Sequence, residues 1–222
     1  MKQGAIYDDP MRPPFLFAIS RWFFRVVVED FFDVEFWGEE HVPQCRACIL
    51  AANHCSFLDP PAVAVGCIRS TFSLARKTLF KPGIRGRFFS QLLTIPVDRD
   101  GAGDISAIRN VLQKLKAGQS ILIFPEGKRS LDGEIQPLKR GIGLLAARAQ
   151  APVVPVRVFG SHWAWNSSMK NPKFFVPLRV VYGPPLMPEV YDPGPAHEDR
   201  YGIITHHIHS SLLAISSPQQ NS

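Results

Sequence analysis

Short apolar runs alternate with helix-like segments along most of this chain, and that alternation limits the folds open to it. Runs of strand length lie at 33–37, 47–52, 71–75, 94–97, 120–124, 152–159 and 174–182. Helix patterns lie between or after them, at 59–66, 84–93, 104–116, 138–149 and 198–215. The pattern predicts an α/β fold with a mixed, mostly parallel sheet covered by helices on both faces. Because such sheets bind ligands in the loops at their strand ends, polar residues in those loops are the first candidates for a functional site.

The length and charge of the chain narrow its organisation and its partners. Its 222 residues suit one α/β domain, which we place at 33–222, behind an amphipathic membrane-associating segment at 1–32. A net charge of +6 and a pI near 9.3 favour an anionic partner: nucleic acid, an anionic bilayer surface or a phosphorylated substrate. The aromatic residues and the basic loops lie in separate segments, which argues against nucleic acid.

The N-terminal segment carries a high density of large apolar side chains. Pro13 and Pro14 suit the first turn of a helix. The apolar face of that helix and the basic face beside it consist of Phe15, Ile19, Trp22, Phe23 and Val26, and of Arg21 and Arg25. Charged residues interrupt the segment too often for a transmembrane span, so we expect a helix in a membrane interface and a peripheral protein on the cytoplasmic face. The alternative is a helix packed into the core of its own domain.

The cysteines predict neither a metal site nor a redox site. Cys45 and Cys48 form a C-x-x-C pattern, but no second pair follows, and His41 has no partner at zinc-finger spacing. Cys48 also begins an apolar run, where a small buried thiol is ordinary. No signal-peptide pattern precedes the domain, so we expect reduced thiols in the cytosol. We also expect no cofactor.

A histidine and an aspartate five positions apart follow the second apolar run. His54 comes shortly after the run at 47–52, and Asp59 lies about one helical turn further on, before Pro60. The spacing suits a general base, in which the carboxylate holds one ring nitrogen and the other accepts a proton from a substrate hydroxyl. The alternative is structural, with His54 capping the next helix and Asp59 bonding the backbone beside Pro60.

A turn after the fifth apolar run carries groups suited to an anion. It contains Glu126, Gly127, Lys128 and Arg129 in succession. Gly127 would let backbone N–H groups approach a phosphate, the two cations add charge, and Glu126 would hold a hydroxyl or orient a cation. The alternative is an ordinary basic turn.

Two less specific patterns end other strands. Arg99 stands between two aspartates after the run at 94–97, where it offers a donor fork to a phosphate. Pro155 interrupts the Val-rich run at 153–156, which restricts that strand to an edge or bulge position.

These four blocks, in this order, resemble those of the PlsC-type glycerolipid acyltransferases, the 1-acylglycerol-3-phosphate acyltransferase family. The N-H-x-x-x-x-D block of the family is matched by Asn53, His54 and Asp59, and its F-P-E-G-x-R-S block by 124–127 with Arg129 and Ser130. Its D-R block and its Val/Ile-rich block are similar to 95–99 and 153–156, and the resemblance covers about 33–185. Lys128 stands where the family usually has threonine, which leaves the head group of the substrate open.

The resemblance implies transfer of a fatty acyl group from acyl-CoA or acyl carrier protein to the hydroxyl of 1-acylglycerol-3-phosphate. The product would be phosphatidate, in phospholipid biosynthesis. His54, oriented by Asp59, would take the hydroxyl proton, and neither Cys55 nor Ser56 would form an acyl-enzyme.

The resemblance also implies how the acceptor is held. Arg99, Glu126, Gly127 and Arg129 would bind its phosphate, and Lys128 would add a contact. Two alternatives stay open: an acyltransferase for another lysolipid, such as a lysophospholipid or an amino-acid lyso-lipid, and a non-catalytic module that binds phosphate or membrane.

Overall fold

The computed structural model describes residues 15–83, 93–98 and 104–218. Its described residues form a seven-stranded sheet in the order β1-β7-β6-β2-β5-β3-β4. The strands are β1 (Val34–Trp37), β2 (Ile49–Ala52), β3 (Thr71–Arg76), β4 (Thr94–Val97), β5 (Ser120–Ile123), β6 (Val153–Phe159) and β7 (Leu178–Tyr182). Neighbouring strands are parallel except β6 and β7, so β7 and β1 run opposite to the other strands. The prediction of a mixed, mostly parallel sheet is confirmed.

Helices cover both faces of this sheet. Those that the structure describes are α1 (Phe15–Phe32), α2 (Asp59–Gly66), α3 (Ile105–Lys116), α4 (Gly141–Ala149), α5 (Ser161–Trp165), α6 (Pro188–Tyr191) and α7 (Arg200–Ala214), with short 3-10 turns at Glu39–His41 and Lys77–Phe80. One core joins β2 and β5 to apolar residues of α3, α4 and α7. A second core lies on the opposite face and joins the same strands to α2 and the end of α1. Strands buried on both faces explain the continuous apolar runs in the sequence.

Most predicted elements lie where the sequence places them, with shifted ends. The helix at 59–66 and the strand at 94–97 are exact, and Asp104 caps α3 by accepting a hydrogen bond from the Ala107 N–H at 3.0 Å. The strand predicted at 174–182 begins only at Leu178, because Phe175 has a φ of 58° and is not extended. The helix predicted at 84–93 lies outside the described residues, apart from its last position.

Pro155 lies in a central strand, at a bulge in its pairing, so the edge alternative is wrong and the bulge alternative is confirmed. β6 pairs with β2 on one side and with β7 on the other. The β6–β7 ladder begins one residue later, at Val156, and opposite Pro155 the Gly183 N–H donates to the Pro155 carbonyl at 2.8 Å. On the same side of β6 the pairing resumes as a bridge between Val153 and Leu186, so 154–155 face the three residues 183–185. The N–H and C=O of an extended residue point to the same side, so the missing N–H of Pro155 falls at this bulge.

Helix α1 presents a buried end and an exposed apolar surface. Val28 packs in the core that contains residues of α2, and Phe32 packs beside Leu58. Ile19, Trp22 and Phe23 are 44%, 67% and 55% exposed; the side chains of Phe15 and Arg21 lie outside the described part of the structure. In that part, no helix is long and apolar enough to cross a bilayer. The membrane-interface role and the boundary at residue 32 stay predictions.

Candidate active site

The candidate residues converge where parallel strands end. β6, β2 and β5 lie side by side, and their carboxyl ends lead into the loops that carry Ser161, His54 and Glu126. β3, next to β5, ends at Arg76. Three loops far apart in sequence therefore meet at one edge of the sheet, as expected for a ligand site in this architecture.

His54 and Asp59 form the hydrogen-bonded pair predicted from their spacing. The His54 Nδ1 lies 2.9 Å from Asp59 Oδ2. Because an ionised carboxylate only accepts hydrogen bonds, Nδ1 carries the proton and Nε2 has a lone pair for a substrate proton. Asp59 is the first residue of α2 and is followed by Pro60 and Pro61, so its side chain turns back towards the loop before the helix.

The Asp59 carboxylate is completely buried and has hydrogen-bond donors at both oxygens. Besides the imidazole, Oδ2 accepts from the backbone N–H groups of Cys55 and Ser56, each at 2.7 Å. Oδ1 accepts from the Ser161 hydroxyl at 2.5 Å. A buried carboxylate with this many donors is held in one orientation, and it fixes the plane of the imidazole in turn.

The loop around His54 is fixed on its other sides as well. Its ring stacks on Phe124, with centroids 4.3 Å apart, and the side chain is 10% exposed. Its backbone N–H donates to Glu126 Oε1 at 2.7 Å, and its carbonyl accepts from the Ser130 N–H at 2.7 Å. The block after β5 therefore positions the histidine loop after β2.

Glu126 is a buried carboxylate whose two oxygens both meet backbone donors. Oε1 accepts from His54, and Oε2 accepts from the Gln136 N–H at 3.0 Å. The residue is 2% exposed, and that burial raises its pKa to about 7, although the two backbone hydrogen bonds act in the opposite direction. In this structure it bridges two loops; its predicted contact with the acceptor stays a prediction.

The cations of the same turn lie closer to the surface. Gly127 has a φ of 75°, a backbone conformation that favours glycine. A Cβ there would lie 2.7 Å from the Lys139 ammonium, so the absence of a side chain also leaves room for Lys139. Lys128 is exposed. The Arg129 guanidinium lies 3.6 Å from the centroid of the Phe57 ring, which holds it by a cation–π contact. Arg99, the remaining predicted phosphate ligand, lies outside the described residues.

The cysteine and the serine next to His54 have structural partners. Burial and the nearby Asp59 charge raise the pKa of the Cys55 thiol to about 12, so it is neutral at physiological pH and a poor nucleophile. Ser56 donates its hydroxyl to the Trp165 carbonyl at 2.7 Å. Both observations fit the expectation that these two residues are not the site of an acyl-enzyme.

Sequence reasoning missed several members of this site. Ser161 lies 102 positions after Asp59, and the Gln136 backbone N–H lies ten positions after Glu126. Arg76 ends β3 and interacts electrostatically with Arg129. A Gly-Ser pair directly after an apolar strand was the available signal for Ser161. Over the described ranges, no three histidine, cysteine or acidic residues come together as potential metal ligands.

This arrangement defines a class: an α/β protein with a buried His–Asp pair at the carboxyl edge of a mostly parallel sheet. A family model described as "Acyltransferase" matches residues 33–159, which is more than half of the chain. The chain belongs to that family, and the resemblance drawn from its motifs is confirmed.

Curated relatives and a solved structure agree with this assignment. A 1-acyl-sn-glycerol-3-phosphate acyltransferase of Bacillus subtilis is 32% identical over 69% of this chain and 73% of its own length. The chloroplastic enzyme BAT2 of Brassica napus, with the same activity in its name, is 28% identical over 69% of this chain and 45% of its own. The chain thus spans about half the length of the plant relatives it matches. The crystal structure of the 1-acyl-sn-glycerophosphate (LPA) acyltransferase PlsC from Thermotoga maritima has the same fold, with a TM-score of 0.63 at 23% identity over 90% of this chain and 84% of that one.

Proposed function

We propose that this protein transfers a fatty acyl group from a thioester, acyl-CoA or acyl carrier protein, to the free hydroxyl of 1-acylglycerol-3-phosphate. The product is phosphatidate, for phospholipid biosynthesis. One observation carries the proposal: the 2.9 Å contact between His54 Nδ1 and a fully buried, fully hydrogen-bonded Asp59. The names of the curated relatives supply the substrate class.

The reaction needs only one base at the reacting hydroxyl. The Nε2 of His54 takes the hydroxyl proton as the oxygen attacks the thioester carbonyl, and the Asp59 carboxylate stabilises the imidazolium that forms. The tetrahedral intermediate then collapses, the C–S bond breaks, and the imidazolium returns the proton to the leaving thiolate. The ester is formed and the histidine regains its starting state, without a covalent acyl-enzyme.

The acceptor phosphate would lie against the cations at the same edge of the sheet. Arg129 is only partly exposed and is oriented by the Phe57 ring, so its donor fork is ready before the phosphate arrives. Arg76 adds charge beside it. The other proposed contacts of the acceptor are Arg99, Glu126, Gly127 and Lys128.

Replacing Arg129 by alanine tests this binding role. The variant should raise the KM for lysophosphatidate at least about tenfold and leave the KM for the acyl donor nearly unchanged, because a charge-assisted contact to one substrate is lost. Steady-state kinetics with each substrate varied in turn measures the split. Equal increases for both substrates would count against a phosphate role.

A second acceptor class remains for the same chemistry. Lys128 is exposed next to Arg129, where the family usually has threonine, and an added cation suits an acceptor with further negative charge. An acceptor panel that includes lysophosphatidate, other lysophospholipids and an amino-acid lyso-lipid separates the two. A non-catalytic phosphate-binding module would acylate none of them.

The acceptor is a lipid, so we propose that the protein works at a membrane surface, on the cytoplasmic side. The exposed Ile19, Trp22 and Phe23 of α1 support an interfacial contact. In flotation with phosphatidylglycerol-containing vesicles, Trp22→Ser with Phe23→Ser should bind more weakly than the wild type. Trp37→Ser, which changes an exposed tryptophan on β1, is the matched control, and equal flotation of all three proteins would remove this claim.

The catalytic proposal is tested with the purified protein and labelled acyl-CoA or acyl carrier protein. His54→Ala should lower kcat for lysophosphatidate at least about a thousandfold, since both the base and the acid of the cycle are lost. His206→Ala is the matched control, because His206 is exposed on α7. Normal acyl transfer by His54→Ala, or an acyl group trapped on Cys55 or Ser56, would refute the mechanism.

A further inference from the structure

The hydroxyl of Ser161 contacts the oxygen of the Asp59 carboxylate that His54 does not use. It donates to Asp59 Oδ1 at 2.5 Å, and both residues are 0% exposed. Ser161 lies just past residue 159, where the match to the family model ends. We propose that Ser161 is a positioning residue that completes the His54–Asp59 pair. The proposal rests on the function proposed above, because its effect on rate is an effect on that reaction.

The turn between β6 and α5 fixes the position of the Ser161 hydroxyl. Ser161 is the first residue of α5 and follows Gly160, which has a φ of 82° at the end of β6. A Cβ at Gly160 would lie 2.1 Å from the Pro177 carbonyl oxygen, so the chain requires glycine at this sharp turn. Because β6 neighbours β2, the turn delivers the serine to the loop that carries His54.

The two oxygens of Asp59 have different partners. Oδ2 accepts from His54 Nδ1 and from two backbone N–H groups, whereas Oδ1 accepts from Ser161. A buried carboxylate oxygen that loses its donor carries negative charge that nothing compensates. That charge would hold the protonated imidazole more tightly and make it a weaker acid, so it would return its proton to the leaving thiolate more slowly. Ser161 therefore allows Asp59 to orient His54 without holding the proton of the imidazolium too tightly.

The neighbouring thiol extends the same network. Cys55 Sγ lies 3.2 Å from Ser161 Oγ. The serine has one proton and gives it to Asp59, so the thiol donates to the serine oxygen. The resulting series runs from Cys55 through Ser161 and Asp59 to His54. It explains a thiol within the His–Asp block by hydrogen bonding, without a chemical role for the sulfur.

The test compares two buried serines. Ser161→Ala should lower kcat about tenfold, while the KM values of both substrates stay within about twofold. The lost hydrogen bond supports Asp59, which orients His54 and is not among the proposed substrate ligands. Ser120→Ala is the matched control: Ser120 is also 0% exposed and its hydroxyl also contacts a thiol, that of Cys48 at 3.3 Å. The control should retain the wild-type kcat.

The pH profile of kcat/KM distinguishes positioning from a loss of stability. Among the residues that the structure describes, the titratable groups that interact with Asp59 besides His54 include Cys55, Glu126 and Arg129, and the substitution alters none of them. In Ser161→Ala the acid limb of the profile should move to higher pH, because protonated His54 is held more tightly. An unchanged acid limb, or equal losses of kcat in Ser161→Ala and Ser120→Ala, would overturn the proposal.

A measurement without substrate separates this proposal from the proposed function. The Nδ1 proton of His54 should give a downfield NMR signal that is missing in His54→Ala. In Ser161→Ala it should move further downfield, since Asp59 becomes a stronger acceptor, and in Ser120→Ala it should stay in place. If the wild-type protein acylates no lysolipid, the proposed function fails, and the NMR signal of the Nδ1 proton alone then tests the role of Ser161. An unmoved signal in Ser161→Ala overturns the role of Ser161.

Discussion

Glu126 predicts a dependence of stability on pH that can be worked out from its surroundings. Its carboxylate is 2% exposed, and burial raises its pKa from the ordinary value of 4.5 to about 7. Between these values the folded protein keeps the proton and the unfolded chain releases it, so unfolding releases a proton and rising pH favours unfolding. The difference corresponds to about 3 kcal/mol of unfolding free energy, present below pH 4.5 and lost as the pH rises through 7.

The substitution Glu126→Gln isolates this effect. Glutamine has nearly the same shape and does not ionise, but its amide group would face one of the two backbone N–H donors of His54 and Gln136. We therefore expect a roughly constant loss of about 1–3 kcal/mol from the unpaired donor, together with removal of the pH-dependent loss. Between pH 5 and pH 8 the unfolding free energy of the variant should fall by about 2.5 kcal/mol less than that of the wild type, because part of the loss has already occurred at pH 5.

Urea denaturation of the wild type and Glu126→Gln at several pH values measures the difference in unfolding free energy. The contributions of all other titrating groups cancel in that difference. Glu134→Gln is the matched control, because Glu134 is an exposed glutamate in the same loop and should leave the pH dependence unchanged. Parallel curves for the wild type and Glu126→Gln would refute the reasoning that burial dominates at this carboxylate.

Two further predictions concern a thiol and a turn. The exposed Cys45 should react with iodoacetamide at neutral pH while the neutral, 3% exposed Cys55 stays unmodified in the folded protein; mass spectrometry that found equal labelling would contradict this. Gly160→Ala should destabilise the protein by at least about 2 kcal/mol in thermal or urea unfolding, because it adds a clash with Pro177 to an unfavourable φ. Gly194→Ala shares the positive φ, has open space around its Cβ and should cost clearly less; equal losses would show that the clash is relieved without cost.

The sequence predicted those parts of the site that are local in the chain. His54 and Asp59 are five positions apart, and their contact follows from a loop that leads into a helix. Glu126 was recognised as part of the site, but its backbone partners were not predictable, because backbone N–H groups leave no mark in a sequence. Ser161 reaches Asp59 only through the adjacency of β6 and β2, which the spacing of residues does not reveal.

The order of elements was predictable, but the order of strands in the sheet was not. Apolar runs and helix patterns located the strands to within a few residues, with Phe175 delaying the start of β7. The rule for Pro155 predicted an edge or a bulge, and it is the bulge that lets a central strand contain this proline. The β6–β7 ladder starts at Val156 and the pairing resumes at Val153, so Pro155 between them accepts a hydrogen bond through its carbonyl and no acceptor there requires its N–H.

The two prolines at the start of α2 have a consequence for selectivity among hydrogen-bond donors. The side chain of an aspartate at the start of a helix ordinarily accepts hydrogen bonds from the N–H groups of the next residues. Pro60 and Pro61 have no N–H, and the Ala62 N–H already donates to the Leu58 carbonyl at 3.0 Å. The helix thus offers Asp59 no rival within its first turn. The donors to the carboxylate therefore come from outside the helix turn: the imidazole, the Cys55 and Ser56 N–H groups of the preceding loop, and the Ser161 hydroxyl.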